Sequence, residues 1–139
     1  MSAQQSYYIG IKGIVRDKSD KVLILKDSST GRWEVPGGRM DAGQTIEGAF
    51  AREIGEEVEN AVLVHFGDLL FAAQGDFLVE NEHKLLLLFY IVEVTLPPNL
   101  VLSSEHTDSA WVDTRSLENY TIYSSDKAAI QKALNTDLA

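Results

Sequence analysis

Apolar positions recur along this chain with two different periods, and the change from one to the other falls at a pair of glycines. From Tyr7 to Val15, Tyr7, Ile9, Ile11 and the small Gly13 fall at alternate positions, which predicts a strand. Asp17-Lys18-Ser19-Asp20 is a turn cluster. Val22 to Leu25 is a continuous apolar run, expected to be a short strand buried on both faces. The two strands are expected to form a hairpin. A loop from Asp27 to Gly31 leads to a short strand, Arg32 to Val35, stopped by Pro36. Beyond Gly37-Gly38 and a loop from Arg39 to Gly43, the spacing becomes helical. Thr45 is the natural N-cap of a helix running from Ile46 to about Val58.

The second half returns to strands. Ala61 to Phe77 reads as strand with a break near Gly67, Gly75-Asp76 as a bend, and Asn81-Glu82-His83 as a turn. Lys84 to Thr95 is the strongest strand and is expected to be central. Pro97-Pro98-Asn99 ends it, and Leu100 to Leu102 is short and extended. Ser103 to Ser109 is expected to be a polar loop, Ala110 to Val112 a short strand and Asp113 to Leu117 a helical turn. A last helix, Lys127 to Leu134, is capped by Ser125 or Asp126. The order predicts an α/β fold. It is not a regular βαβαβ series, and the glycine pair lacks the GxGxxG spacing of a dinucleotide site.

The central helix breaks its own pattern. Ile46, Ala49 and Phe50 share a face, and two further turns bring that face to Glu53 and Glu57, with Glu56 on its flank. Charge on a buried stripe is costly unless compensated. At i, i+3 and i+4 the three carboxylates converge within a turn. Without cysteine, such oxygen-only sites favour Mg²⁺, Mn²⁺ or Ca²⁺. The strand-turn-helix geometry adds the Gly37 carbonyl as a candidate ligand. Against this stands the ordinary reading of a Glu-rich helix as a solvated face.

Composition narrows the choices. The chain has 139 residues, which suits one domain, 1–139, without repeats or linkers. It has no cysteine, so disulfides and thiolate metal sites are excluded. A net charge of -9 argues against a nucleic-acid polymer or an anionic membrane as partner, but not against a small phosphorylated ligand whose charge is met by a metal. The N-terminal residues lack the pattern of a signal peptide, and the longest apolar run, Leu85 to Val92, is too short to span a bilayer. A cytoplasmic protein is the expectation.

The stretch Trp33-Glu34-Val35-Pro36-Gly37-Gly38, followed by Arg52-Glu53-Ile54-Gly55-Glu56-Glu57, resembles the Nudix box: a glycine, a glutamate, then an Arg-Glu-apolar-any-Glu-Glu core closed by glycine and an apolar residue. Gly38 takes the first position and the core matches throughout. Gln44 stands in place of the first glutamate, and Glu59 and Asn60 in place of the closing pair. The resemblance is to MutT-like members. It implies an α/β/α sandwich with a mixed β-sheet and a catalytic strand-loop-helix. It further implies Mg²⁺-dependent hydrolysis (Mn²⁺ being the substitute) of a diphosphate bond in a nucleoside diphosphate derivative: a nucleoside triphosphate, dinucleoside polyphosphate, nucleotide sugar or ADP-ribose. Carried over by position, Glu53, Glu56 and Glu57 are the metal and catalytic set, with the Gly37 carbonyl as the further candidate ligand. Glu53 or Glu105 is the base, and Arg52 orients the carboxylates. Arg39 is the best placed of Arg16, Arg32 and Arg39 to meet substrate phosphates. His106, beside Glu105, reads as an ordinary hydrogen-bonded residue. A homodimer is among the expectations. The alternative is a nucleotide-binding or sensor domain with weak turnover.

Overall fold

A computed structural model describes residues 3–75 and 83–136. Two sheets carry the fold. Strands β1 (Tyr7–Val15), β4 (Gly37–Arg39), β5 (Val62–Gln74) and β6 (Lys84–Thr95) form one, in the order β4-β1-β6-β5. Strands β2 (Val22–Asp27), β3 (Trp33–Glu34) and β7 (His106–Val112) form the other, in the order β3-β2-β7. The first sheet is mixed: β1 runs parallel to β6 and antiparallel to β4. Helix α1 (Ile46–Glu57) and helix α2 (Ser124–Leu134) complete the layers.

Strand β1 divides the molecule by alternation. Its odd positions, Ile11 and Val15, pack in a core with Ala49, Phe50 and Ile54 of α1. Gly13 leaves the room that the Phe50 ring fills. The even position Ile14 joins a second core with Val35, Phe89, Ala129 and Ile130, under α2. Lys12 shares that second face and is buried, at 5% exposure.

Several sequence expectations hold in detail. Strands β1 and β6 have the expected bounds. The α1 N-cap is Thr45, whose hydroxyl accepts the Gly48 N–H at 3.0 Å. The register of β5 on β6 shifts on either side of Gly67. Asn60 takes a left-handed conformation (φ 63) just beyond α1, supplying the turn that a glycine ordinarily eases.

Others do not hold. β1 and β2 are not a hairpin: an isolated bridge, Arg16 to Val22, joins the end of β1 to the start of β2, and the two strands lie in different sheets. The glycine pair is not simply a turn, because Gly37–Arg39 pairs with β1. The polar stretch His106–Ser109 is strand rather than loop, since β2 offers it an antiparallel partner. The helical turn falls at Leu117–Asn119, later than expected. Asp126 does not cap its own helix. α2 starts at Ser124 with no side-chain cap, and Asp126 is spent on the Val35 N–H instead. The bend and turn expected at Asp76 and at Asn81-Glu82 lie outside the described residues.

Candidate active site

The loop before α1 and the helix itself meet at the double glycine. Gly37 has φ 139, a conformation that side chains rarely adopt, and a Cβ there would run into the Ile11 carbonyl and lie 2.7 Å from Lys12 Cα. Only glycine lets this backbone lie flat against β1. Its N–H donates to Glu57 Oε1 at 2.8 Å. Glu57 is buried, at 2% exposure, as its stripe position implied. Gly38 lies under the Glu53 carboxylate: a Cβ at Gly38 would be 2.6 Å from Glu53 Cδ. The two helix carboxylates therefore sit directly against the turn, while Glu56 is exposed.

Arg52 holds Glu53 in place. Its guanidinium contacts Glu53 Oε1 at 2.8 Å and Asp41 Oδ2 at 3.0 Å, not Glu56 one turn along. Asp41 is the second carboxylate on Arg52, and Gln44 in turn fixes Asp41 by accepting its N–H at 2.7 Å. The substitution at Gln44 thus leaves Arg52 with two acidic partners.

The electrostatics favour a cation. Burial pushes the Glu57 carboxyl well above its usual range, against the pull of Lys12 and the Gly37 N–H. Burial also raises Glu53; Arg52 opposes this, and Glu56 and Glu105 add to it. Glu105, exposed on the loop before β7, is thus electrostatically coupled to Glu53. As placed, no three acidic or histidine side chains among the described residues converge closely enough to hold an ion. Glu53 leans on Arg52, Glu57 on Gly37, and Glu56 faces outward. The donor set is nevertheless all oxygen and suits a hard cation such as Mg²⁺, which keeps several waters and needs few carboxylates.

Beneath the carboxylates runs a chain of charge that the sequence reading missed. Glu34 Oε1 accepts from Lys12 Nζ at 2.7 Å, and Glu34 Oε2 from His106 Nε2 at 3.0 Å. Lys12 also reaches Asp126 Oδ2 at 3.3 Å, and the same Asp126 oxygen accepts the Val35 N–H at 2.9 Å. Burial works against each of these ions. The two carboxylates override it at Lys12 and raise its proton affinity. Lys12 and His106 override it at Glu34 and hold that group down to about 2. At Asp126 burial prevails over Lys12 and Val35, and the carboxyl lies above its usual range. One signal in the sequence pointed here: a lysine inside an otherwise apolar nine-residue strand.

This chain ends in a cleft of about 460 Å³, lined by Gly10, Leu85 and Leu87 on its apolar side and by Lys12, Asp27, Glu34 and Asp126 on its polar side. Gly37, Gly38 and Arg39 line it as well, so it opens onto the turn against which Glu53 and Glu57 of α1 are packed. The Arg39 guanidinium lies 5.4 Å from the Tyr8 ring centroid. Arg32 lies over Tyr123, another lining residue. Arg16 is turned away from the cleft and donates to the Ala133 carbonyl at the end of α2. Among the described residues no helix is long and apolar enough to cross a membrane.

Comparisons with known proteins bear on the family and the fold. The mitochondrial ADP-ribose pyrophosphatase of Rattus norvegicus is 30% identical over 98 residues, covering 70% of this chain but 25% of its own length. A putative 8-oxo-dGTP diphosphatase of Bacillus subtilis is 41% identical over 51 residues, 37% of this chain and 34% of its own. The chain thus spans about a third or less of these relatives. The crystal structure of a MutT protein from Methanosarcina mazei superposes with a TM-score of 0.75 at 22% identity, over 95% of this chain and 96% of that one, and shares its fold. The NUDIX domain model matches residues 7–133, nearly the whole of the two-sheet body together with both helices, and the chain belongs to the Nudix family.

Proposed function

We propose that this chain hydrolyses a diphosphate bond in a nucleotide-type substrate with the help of Mg²⁺ or Mn²⁺. The observation that carries the proposal is the position of two helix carboxylates, Glu53 and Glu57, against the double-glycine turn at the mouth of a cleft. Glu53, Glu56 and Glu57, with the Gly37 carbonyl, would hold the cation. When bound it polarises a phosphoryl oxygen and neutralises the leaving phosphate.

The chain's own residues supply the rest. The apolar side of the cleft, lined by Leu85 and Leu87, accepts a flat ring, and Arg39 meets the phosphates at the mouth. Arg52 orients Glu53 and opposes the rise that burial gives its carboxyl. The attacking water gives its proton to Glu53 or to Glu105, the two acids coupled across the site. Names among the relatives support a substrate of the ADP-ribose or oxidised nucleoside triphosphate kind. The cytoplasm is the expected compartment.

The test is a Mg²⁺-dependent hydrolysis panel over nucleoside triphosphates, dinucleoside polyphosphates, nucleotide sugars and ADP-ribose, with products identified. Glu56→Gln and Glu57→Gln are run beside it, and turnover is expected to collapse in both. Unchanged turnover in both defeats the metal assignment. Comparing the pH profiles of Glu53→Gln and Glu105→Gln identifies the base: its loss lowers kcat and removes the rise of kcat with pH. Metal and nucleotide binding without any hydrolysis would make the chain a sensor instead.

A further inference from the structure

His106 occupies an odd position for a residue with no assigned role. It is 6% exposed at the start of β7, immediately after Glu105. Its Nε2 lies 3.0 Å from Glu34 Oε2 and 3.8 Å from Glu57 Oε2, so the ring proton sits there, between two carboxylates. Nδ1, on the other side of the ring, is buried with no hydrogen-bond partner among the described residues. A stranded ring nitrogen costs stability, which an apolar side chain of similar size avoids. The histidine therefore brings one thing a leucine lacks: an N–H aimed at Glu34 and Glu57.

The backbone around it shows what that N–H fixes. The Ser103 N–H donates to the Glu57 carbonyl at 3.0 Å, the His106 N–H to the Ser103 carbonyl at 3.2 Å, and the Ser28 N–H to the Glu105 carbonyl at 2.9 Å. The short segment Ser103–Glu105 is thus strung over the end of α1, with the His106 ring below it. The Glu105 side chain accepts no hydrogen bond among those described. Its position depends on this backbone and on the buried ring next to it.

We propose that His106 is a positioning residue of the carboxylate site: through its Nε2–H to Glu34, beside Glu57, it fixes the Glu105 segment against α1. The proposal rests on the functional reading above, in which Glu105 and the α1 carboxylates act together. Glu34 serves both sides of this arrangement, one oxygen on Lys12 in the cleft and the other on His106 below the helix. Substituents of the metal-binding groups' hydrogen-bond partners commonly change affinity or activity by about 10–100-fold, which sets the scale expected here.

The experiment compares His106→Leu, which removes the donor, with His106→Gln, whose amide N–H reaches about as far as Nε2. Each is examined for melting temperature, kcat, KM and Mn²⁺ affinity by calorimetry with Mn²⁺ alone. His106→Leu is expected to lose about tenfold or more in kcat with little change in KM. His106→Gln is expected to recover most of the loss. In a Glu105→Gln background, His106→Leu should cost little further, because the group it positions is gone. Equal losses in the leucine and glutamine variants, or full additivity with Glu105→Gln, would overturn the assignment. If the wild-type chain hydrolyses nothing, the functional reading fails on its own. The positioning role is then decided by amide hydrogen exchange at Ser103 and His106: exchange sped by leucine and kept at the wild-type rate by glutamine supports it, and equal exchange in both variants rejects it.

Discussion

Neighbouring glycines in this structure should respond to the same substitution in opposite ways. At Gly38 the backbone is ordinary, and the nearest obstacle to a methyl group is the Glu53 carboxylate, with Cδ at 2.6 Å and its oxygens at 2.7 and 2.9 Å. Ordinary contact begins at 3.4 Å, so Gly38→Ala drives that carboxylate away by roughly 0.8 Å (3.4 less 2.6) and off Arg52. The fold should tolerate this. Ala limits the unfolded chain and returns about 0.4–1 kcal/mol, comparable to the cost of an off-rotamer glutamate. Catalysis should not tolerate it, since a misplacement near 1 Å can cost about 10²-fold, or ~2.7 kcal/mol of barrier. At Gly37 the obstacles are the Ile11 carbonyl and Lys12 Cα, which are backbone and cannot swing aside. Gly37→Ala should break the β1–β4 pairing and cost more than about 3 kcal/mol. The assays are urea unfolding and kcat for Mg²⁺-dependent hydrolysis. The reasoning fails if Gly38→Ala keeps wild-type kcat, or if both variants lose the same stability.

Three further outcomes follow from the buried charges. Lys12→Met should cost about 3–5 kcal/mol in urea unfolding, because it strands Glu34 and Asp126 without their cation. Glu34 is held at about 2 against 4.5 when free, so its contribution is complete above pH 4.5 and is lost as pH falls toward 2; Glu34→Gln should flatten the acid limb of a urea-midpoint profile over that window. Glu57 has the opposite sign: its carboxyl is raised, so it weakens the fold progressively as pH climbs above 4.5. Metal-free Glu57→Gln should therefore melt above the wild type at pH 7 to 8, by calorimetry, while losing the Mg²⁺ response.

What could be read from the sequence was whatever a local period encodes. The alternation in Tyr7–Val15, the long apolar run of Lys84–Thr95 and the helical spacing behind Thr45 each fixed an element nearly to the residue. The burial of Glu57 was visible as an acid on an apolar stripe. What escaped depends on partners far along the chain. His106–Ser109 has a loop-like composition, and only β2 makes it strand. The supposed hairpin fails because β1 has a parallel partner whose first residue, Lys84, pairs with Tyr7. Asp126 looked like a helix cap because nothing in its neighbourhood names Val35 as its donor.

Lys12 has a bearing on how this chain finds its strand alignment. Glycine at positions 10 and 13, apolar residues elsewhere and a parallel partner as apolar as β6 would let β1 slide with little penalty, since its two faces are nearly equally greasy. A slip of one residue turns every side chain to the opposite face. It would carry Lys12 away from Glu34 and Asp126, the two acids it pairs with, and into the layer of Phe50 and Ile54. The lysine makes misalignment expensive in a way that the surrounding isoleucines cannot. A residue that contributes little net adhesion can thus hold the sheet to a single frame, and with it the distance between the cleft and the turn.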